Sequence, residues 1–252
     1  MTAIGHRHFV RLAVVLASTA SAKFSTASAM SAAASSSSRA IKSVAVSIAM
    51  EAEASPFVKH LGLTADDDFF PPEVPFRAFR GSHGECQLTV VTSGKDGVYG
   101  TGADNVGTVS AGLMTFLALQ KLKNGGDGSG ADLLINAGTS GGFKSKGAAV
   151  GDVFLTTDVA NHDRRIPFPP FDVYGIGKVE SAPVAKLAEE IGAKTGTCTT
   201  GNSIDKHDWD QRHMEENGAA VKDMEYAAIA WSAELNGVPH FGVKVVTDIV
   251  DG

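Results

Sequence analysis

Apolar positions along this chain fall into two kinds of run, and their alternation sets the fold to expect. Residues 42–50 (KSVAVSIAM), 87–93 (QLTVVTS) and 133–137 (LLINA) are short stretches rich in β-branched side chains and predict buried strands. Further strands are predicted over 150–159, 195–200 and 238–246, and around Val221. Between them lie longer patterns of helical period. Residues 104–123 predict a long helix whose apolar side carries Val106, Val109, Leu113, Phe116, Leu117 and Leu119. Residues 183–191 and 225–235 predict two more helices. The run Gly125-Gly126-Asp127-Gly128-Ser129-Gly130 predicts a flexible loop, and Gly138-Thr139-Ser140-Gly141-Gly142 a glycine-rich turn after the strand at 133–137. Strands alternating with helices predict one α/β domain over 41–252, with a central mixed, largely parallel twisted sheet flanked by helices. No internal repeat and no second domain is expected.

The first forty residues break this pattern. Half of them are Ala or Ser, Arg7, Arg11, Lys23 and Arg39 are basic, and no acid precedes Glu51. Such a start reads as a targeting peptide or a disordered tail. The destination is chloroplast or another organelle if residues 1–40 are a targeting peptide, a secretory-type cleavage after Ala20-Ser21-Ala22 is a further reading, and the cytoplasm follows if they are an uncleaved tail. The apolar run 12–17 falls far below the ~20 residues of a membrane span. Without its four basic residues the tail leaves 18 basic against 28 acidic side chains. A body this acidic lacks the clustered cations that a phosphate backbone requires, so nucleic acid is not an expected partner. Cys86 and Cys198 make no disulfide framework, and His207 and His213 match no metal-ligand spacing. No metal is expected.

Ligands of open α/β sheets bind beyond the carboxyl ends of the strands, so polar residues ending strands are the first candidates. The first strand runs into Met50-Glu51-Ala52-Glu53, where acids also suit a helix start. Glu51 and Glu53 are two residues apart and cannot both face one pocket from a helix. The third strand runs into the glycine-rich turn, which is no phosphate loop because no Gly-Lys-Ser/Thr follows. Lys222-Asp223-Met224-Glu225 opens an apolar helix, and Thr247-Asp248 follows the last apolar run. Capping acids, a tight turn and a turn-forming Asp explain each of these equally well one at a time.

Taken together, AMEAEA at 49–54, INAGTSGGF at 135–143, NHDRRIPFP at 161–169, VKDMEYAAIA at 221–230 and VTDIVDG at 246–252 resemble the methylthioadenosine/adenosylhomocysteine nucleosidase family, most closely its plant branch. That family has the nucleoside phosphorylase fold. The resemblance implies a hydrolase that cleaves the N-glycosidic bond of 5′-methylthioadenosine, or also of S-adenosylhomocysteine, in methionine salvage. It implies no cofactor, a small-molecule nucleoside as partner, no membrane and a homodimer. The catalytic carboxylate falls on Glu53, the acid beside the purine on Asp248 after Thr247, and the ribose-binding pair on Met224 and Glu225. Ser93 and Gly94 fall near the sugar, and Ile204 and Asp205 in the purine-contacting stretch after the Thr200-Gly201 turn. The segment 164–174 would cross a dimer interface. Asn202 stands where the family usually carries Asp. Family members also continue past residue 252 into a helix that helps close the pocket, so the expected fold lacks that helix.

The chemistry suits these residue types. Adenine leaves poorly as an anion, so an acid must protonate N7 as the bond breaks, and the resemblance gives this to Asp248, with burial expected to keep its proton. An anionic Glu53 would stabilise the oxocarbenium ion and take a proton from water, and Glu225 would accept the ribose hydroxyls. Two rivals stay open on the sequence: a nucleoside phosphorylase, and a non-catalytic storage or binding protein of the same fold.

Overall fold

The computed structural model describes residues 40–125, 130–205 and 207–252. In chain order the elements are β1 (Ser43–Ile48), α1 (Glu51–His60), β2 (Thr64–Ala65), β3 (Arg77–His83), β4 (Cys86–Thr92), α2 (Thr108–Asn124), β5 (Leu133–Gly142), β6 (Val153–Asn161), α3 (Phe171–Ile176), β7 (Val179–Glu180), α4 (Ala185–Ile191), β8 (Lys194–Thr200), α5 (Asp208–Glu216), β9 (Ala219–Asp223), α6 (Tyr226–Asn236) and β10 (His240–Ile249). One 3₁₀ turn, Lys144–Lys146, follows β5. The targeting-peptide reading of residues 1–40 falls, except for Ala40, outside the described residues, as does most of the loop expected over 125–130.

The strands form one sheet in the order β10-β6-β8-β9-β5-β1-β4-β3-β2. β10 also pairs with β5, so β5, β10, β6, β8 and β9 close on themselves as a barrel and β1 to β4 extend it. Parallel pairing joins β4, β1, β5 and β10 and joins β6, β8 and β9. β5 meets β9, and β10 meets β6, antiparallel. β1 explains its own central place: Val44, Ala45, Val46, Ser47 and Ile48 are all buried, the unbroken pattern of a strand covered on both faces. Its two faces feed different cores, Val44, Val46 and Ile48 packing with Phe57 and Phe241, and Ala45 with Phe154 and Tyr226. Full burial of each phenylalanine contributes about 2–3 kcal/mol.

Two sequence expectations need correction. The stretch 138–142 is not a turn but the continuation of β5, which runs from Leu133 through Gly142. Its glycines are there because neighbours come too close for a Cβ: one on Gly142 would lie 2.7 Å from Val246 Cγ1 and 2.8 Å from Ala148 Cβ, and one on Gly141 2.6 Å from Val250 Cγ2. On α2 the buried face is only partly the one expected, since Leu119 is buried and Leu117 half-buried but other large residues are not. Ala111, Met114, Thr115, Ala118 and Leu119 are buried, while Val109, Leu113 and Phe116 are exposed; Val106 precedes the helix and lines the cavity described below. The reason is the close approach of α6, where Ser232 Oγ donates to the Gly112 carbonyl at 3.0 Å. Only the small residues of α2 admit a neighbouring backbone at that distance. Val109, Leu113 and Phe116 are left outside.

Candidate active site

Four chain segments that end strands meet around one cavity of about 490 Å³. They are 49–53 after β1, 136–141 in β5, 222–225 at the end of β9 and 247–250 at the end of β10, with Ile204 and Asp205 from the connection after β8. Glu53, Met224, Glu225, Ile204, Asp205, Thr247 and Asp248 all line it. Ser93 and Gly94 do not line it; Ser93 is fully buried, its N–H donates to the Ala49 carbonyl, and Gly94 takes a left-handed φ of 66° beside Pro75.

Glu53 owes its place to the first turn of α1. Glu51 turns outward to Arg77 at 2.9 Å, and Glu53 turns inward and is buried. There Thr139 holds it twice, donating from its backbone N–H at 2.8 Å and from its hydroxyl at 2.6 Å to Oε1. Gly138 gives the carboxylate its room, since a Cβ there would stand 3.3 Å from Oε2. Burial pushes the Glu53 carboxyl above its ordinary range, against the two Thr139 bonds and the Lys244 charge.

Glu225 immediately precedes α6, and its Oε1 accepts from the Gly107 N–H at 3.0 Å. Burial first, then the negative Asp223 beside it, push its carboxyl up to about 7. Behind it lies a pair that the sequence reading missed. Lys244 Nζ donates to Asp223 Oδ2 at 2.6 Å with both side chains buried. Burial opposes charge on each, and their mutual attraction outweighs it, holding Asp223 below and Lys244 above the ordinary range. The readable signal was Lys244 itself, a cation inside the run VKVV, which has to meet a buried partner.

Asp248 reaches the cavity through a β-bulge. The register of β10 on β5 shifts between Val246 and Asp248, so Asp248 stands opposite Gly141, whose added Cβ would meet its Oδ2 at 3.2 Å. Thr247 Oγ1 donates to Asp248 Oδ1 at 3.1 Å. The burial expected for this acid is not found. Asp248 is exposed, because beyond Val246 the strand runs past the packed layer to the cavity mouth. Glu53 lies at the floor and Asp248 at the rim of the same space. That arrangement offers a buried base, a half-buried hydrogen-bond acceptor and a rim acid to one small, partly apolar ligand. Among the described residues no group of three or more His, Cys, Asp or Glu side chains gathers to hold a metal, and no helix is long and apolar enough to cross a membrane.

Comparison with known proteins places this architecture. The phosphorylase superfamily model matches residues 43–252. A 5′-methylthioadenosine nucleosidase of Arabidopsis thaliana is 44% identical over 213 residues, 84% of this chain and 76% of that protein. The chain belongs to the methylthioadenosine nucleosidase family. A second Arabidopsis thaliana member, a 5′-methylthioadenosine/S-adenosylhomocysteine nucleosidase, is 40% identical over 84% of this chain and 80% of its own length. The solved apo structure of the Arabidopsis thaliana 5′-methylthioadenosine nucleosidase superposes with a TM-score of 0.80, covering 85% of this chain and 84% of that one. Membership of this family accounts for the barrel closed by the β5–β10 pairing and for the mixed sheet around it.

Proposed function

We propose that this chain hydrolyses 5′-methylthioadenosine to adenine and 5-methylthioribose, with Glu53 and Asp248 as its catalytic pair. The observation that carries the reading is that both carboxyls line one cavity with Glu225 and Met224. In this mechanism Glu53, whose carboxyl burial raises above its ordinary range, takes a proton from a water molecule as that water attacks C1′. Asp248 gives a proton to N7, so adenine departs neutral, and solvent restores the proton. Exposed in the free protein, Asp248 acquires its shielded surroundings when the base covers the rim. Glu225 accepts hydrogen bonds from the 2′- and 3′-hydroxyls, whose donation favours its anion. Met224 gives the alkylthio side a soft apolar contact. Ser93 and Gly94 support the sugar side indirectly, through the Ser93 bond to Ala49 beside Met50.

Water rather than phosphate suits this floor. A phosphate dianion would meet the Glu53 carboxylate, and the cations lining the cavity are committed elsewhere: Lys244 to Asp223, Lys222 to the Ile204 and Asp205 carbonyls. Adenine release from 5′-methylthioadenosine, measured with and without phosphate, tests the reading. Equal rates are expected, and strict phosphate dependence would refute hydrolysis.

A homodimer is part of the same proposal. Val109 and Leu113 on α2 are 75% and 57% exposed, and Trp231 and Leu235 on the adjoining α6 are exposed too. Phe168, Phe171 and Tyr174 in the Pro-rich stretch are likewise uncovered. A second copy would bury these faces, and single-chain mass in sedimentation at micromolar protein would count against it. Residues 1–40 are proposed as a targeting peptide ahead of the nucleosidase domain; organelle import of a fusion to residues 1–40 tests this, and diffuse cytoplasmic signal would refute it.

A further inference from the structure

We infer that Lys222 is a positioning residue that clamps the base-contacting wall of the cavity. The inference rests on the nucleosidase reading and deepens it. Residues 201–205 leave β8, pass the cavity mouth and carry Ile204 and Asp205 into its lining. Ile204 is 88% exposed, so its side chain has no core packing to hold the loop in place. The start of the loop is gripped by the NHD segment. Gly201 lies so close over His162 that a Cβ would come within 2.2 Å of its Nε2, and the Asn202 N–H donates to Asp163 Oδ2 at 2.6 Å. The far end is gripped by Lys222, whose Nζ donates to the Ile204 carbonyl at 2.9 Å and the Asp205 carbonyl at 2.8 Å.

Lys222 is buried on β9, and burying an ammonium is costly unless good acceptors meet it. Two backbone carbonyls of one loop meet it here. A residue serving only to fill β9 would be apolar at no such cost. The strand that carries the clamp continues directly into Met224 and Glu225, which line the same cavity. One strand therefore sets the spacing between the sugar side of the cavity and the wall against which a purine lies. Ile204, held over the mouth, supplies the apolar surface that a base covers on binding. Preorganising this wall saves ordering cost when the base binds and leaves the sugar contacts untouched.

The test separates base from sugar. In Lys222→Met, the Kd for adenine and the KM for 5′-methylthioadenosine are expected to rise together by about tenfold, the worth of one charge-assisted hydrogen bond. Inhibition by 5-methylthioribose and kcat stay near wild type, and Lys222→Arg, which keeps donors for both carbonyls, recovers most of the loss. An unchanged adenine Kd, or equal loss of adenine and methylthioribose affinity, would overturn the inference. If Lys222→Met does not fold, a crystal structure of the wild type with adenine decides. Adenine against Ile204 with both Lys222 bonds intact supports the clamp, and adenine bound with the loop displaced from Lys222 refutes it. Wild-type protein that binds adenine but never cleaves methylthioadenosine would sink the nucleosidase reading and leave the clamp standing.

Discussion

Replacing Glu225 by Gln is expected to make the protein more stable and less active. Glu225 is half-buried, and its carboxyl is pushed up from 4.5 to about 7. A carboxyl raised on folding contributes stability that is whole below its unfolded value and is lost as pH rises through the folded one. Between 4.5 and about 7 the native state holds a proton that the unfolded chain has released, so stability falls with pH across that window. The deficit is below about 1 kcal/mol at pH 5 and reaches about 3 kcal/mol at pH 8. Gln keeps the Oε1 acceptor for the Gly107 N–H and carries no charge to be buried. Urea unfolding at both pH values reads the difference directly. Glu225→Gln should gain about 3 kcal/mol over wild type at pH 8 and little at pH 5. It should also lower kcat/KM for methylthioadenosine by about 10- to 100-fold, since a neutral amide accepts ribose hydroxyls more weakly than a carboxylate. A variant less stable than wild type at pH 8 would show that Glu225 is a structural anion, and the ribose role would lose its physical support.

Two further outcomes follow from the neighbouring packing. Lys244→Met strands Asp223 in the interior, so it should cost about 3–5 kcal/mol at pH 8. The wild-type pair is charged on both sides at neutral pH, because Asp223 is held low and Lys244 high. Without Lys244 the buried Asp223 keeps a proton, so the variant's deficit should shrink from pH 8 to pH 5; a deficit that grows on acidification would contradict the pairing. Gly142→Ala places a methyl against Val246 and Ala148 and should lower stability by about 1–3 kcal/mol in the same unfolding assay, whereas an unchanged midpoint would mean β5 and β10 can part there freely.

Much of this molecule was legible in the apolar pattern. β1, β4 and β5 lie where uninterrupted β-branched runs predict them, because strands covered on both faces carry their signal in every residue. The glycine stretch of β5 misled because glycine marks close approach as well as turning, and only the neighbours Val246, Ala148 and Val250 tell the two apart. The apolar face of α2 misled because large side chains signal the core only when the partner helix is not itself so near that small residues are needed. At the site, Glu53 and Glu51 separated as a helix requires, one in and one out. The exposure of Asp248 was not legible, since a single bulge at the end of β10 decides where that side chain goes. The grip of Lys222 on the loop 201–205 is likewise a long-range contact that local pattern does not carry.

The claim at the centre is that Glu53 and Asp248 act on one nucleoside from opposite ends of one cavity. A crystal of Glu53→Gln soaked with 5′-methylthioadenosine tests it most directly. An intact nucleoside is predicted, with its C1′ over residue 53, its ribose hydroxyls on Glu225 and its N7 within hydrogen-bond distance of Asp248. A nucleoside whose purine lies away from Asp248, or one already cleaved in that crystal, would contradict the assignment.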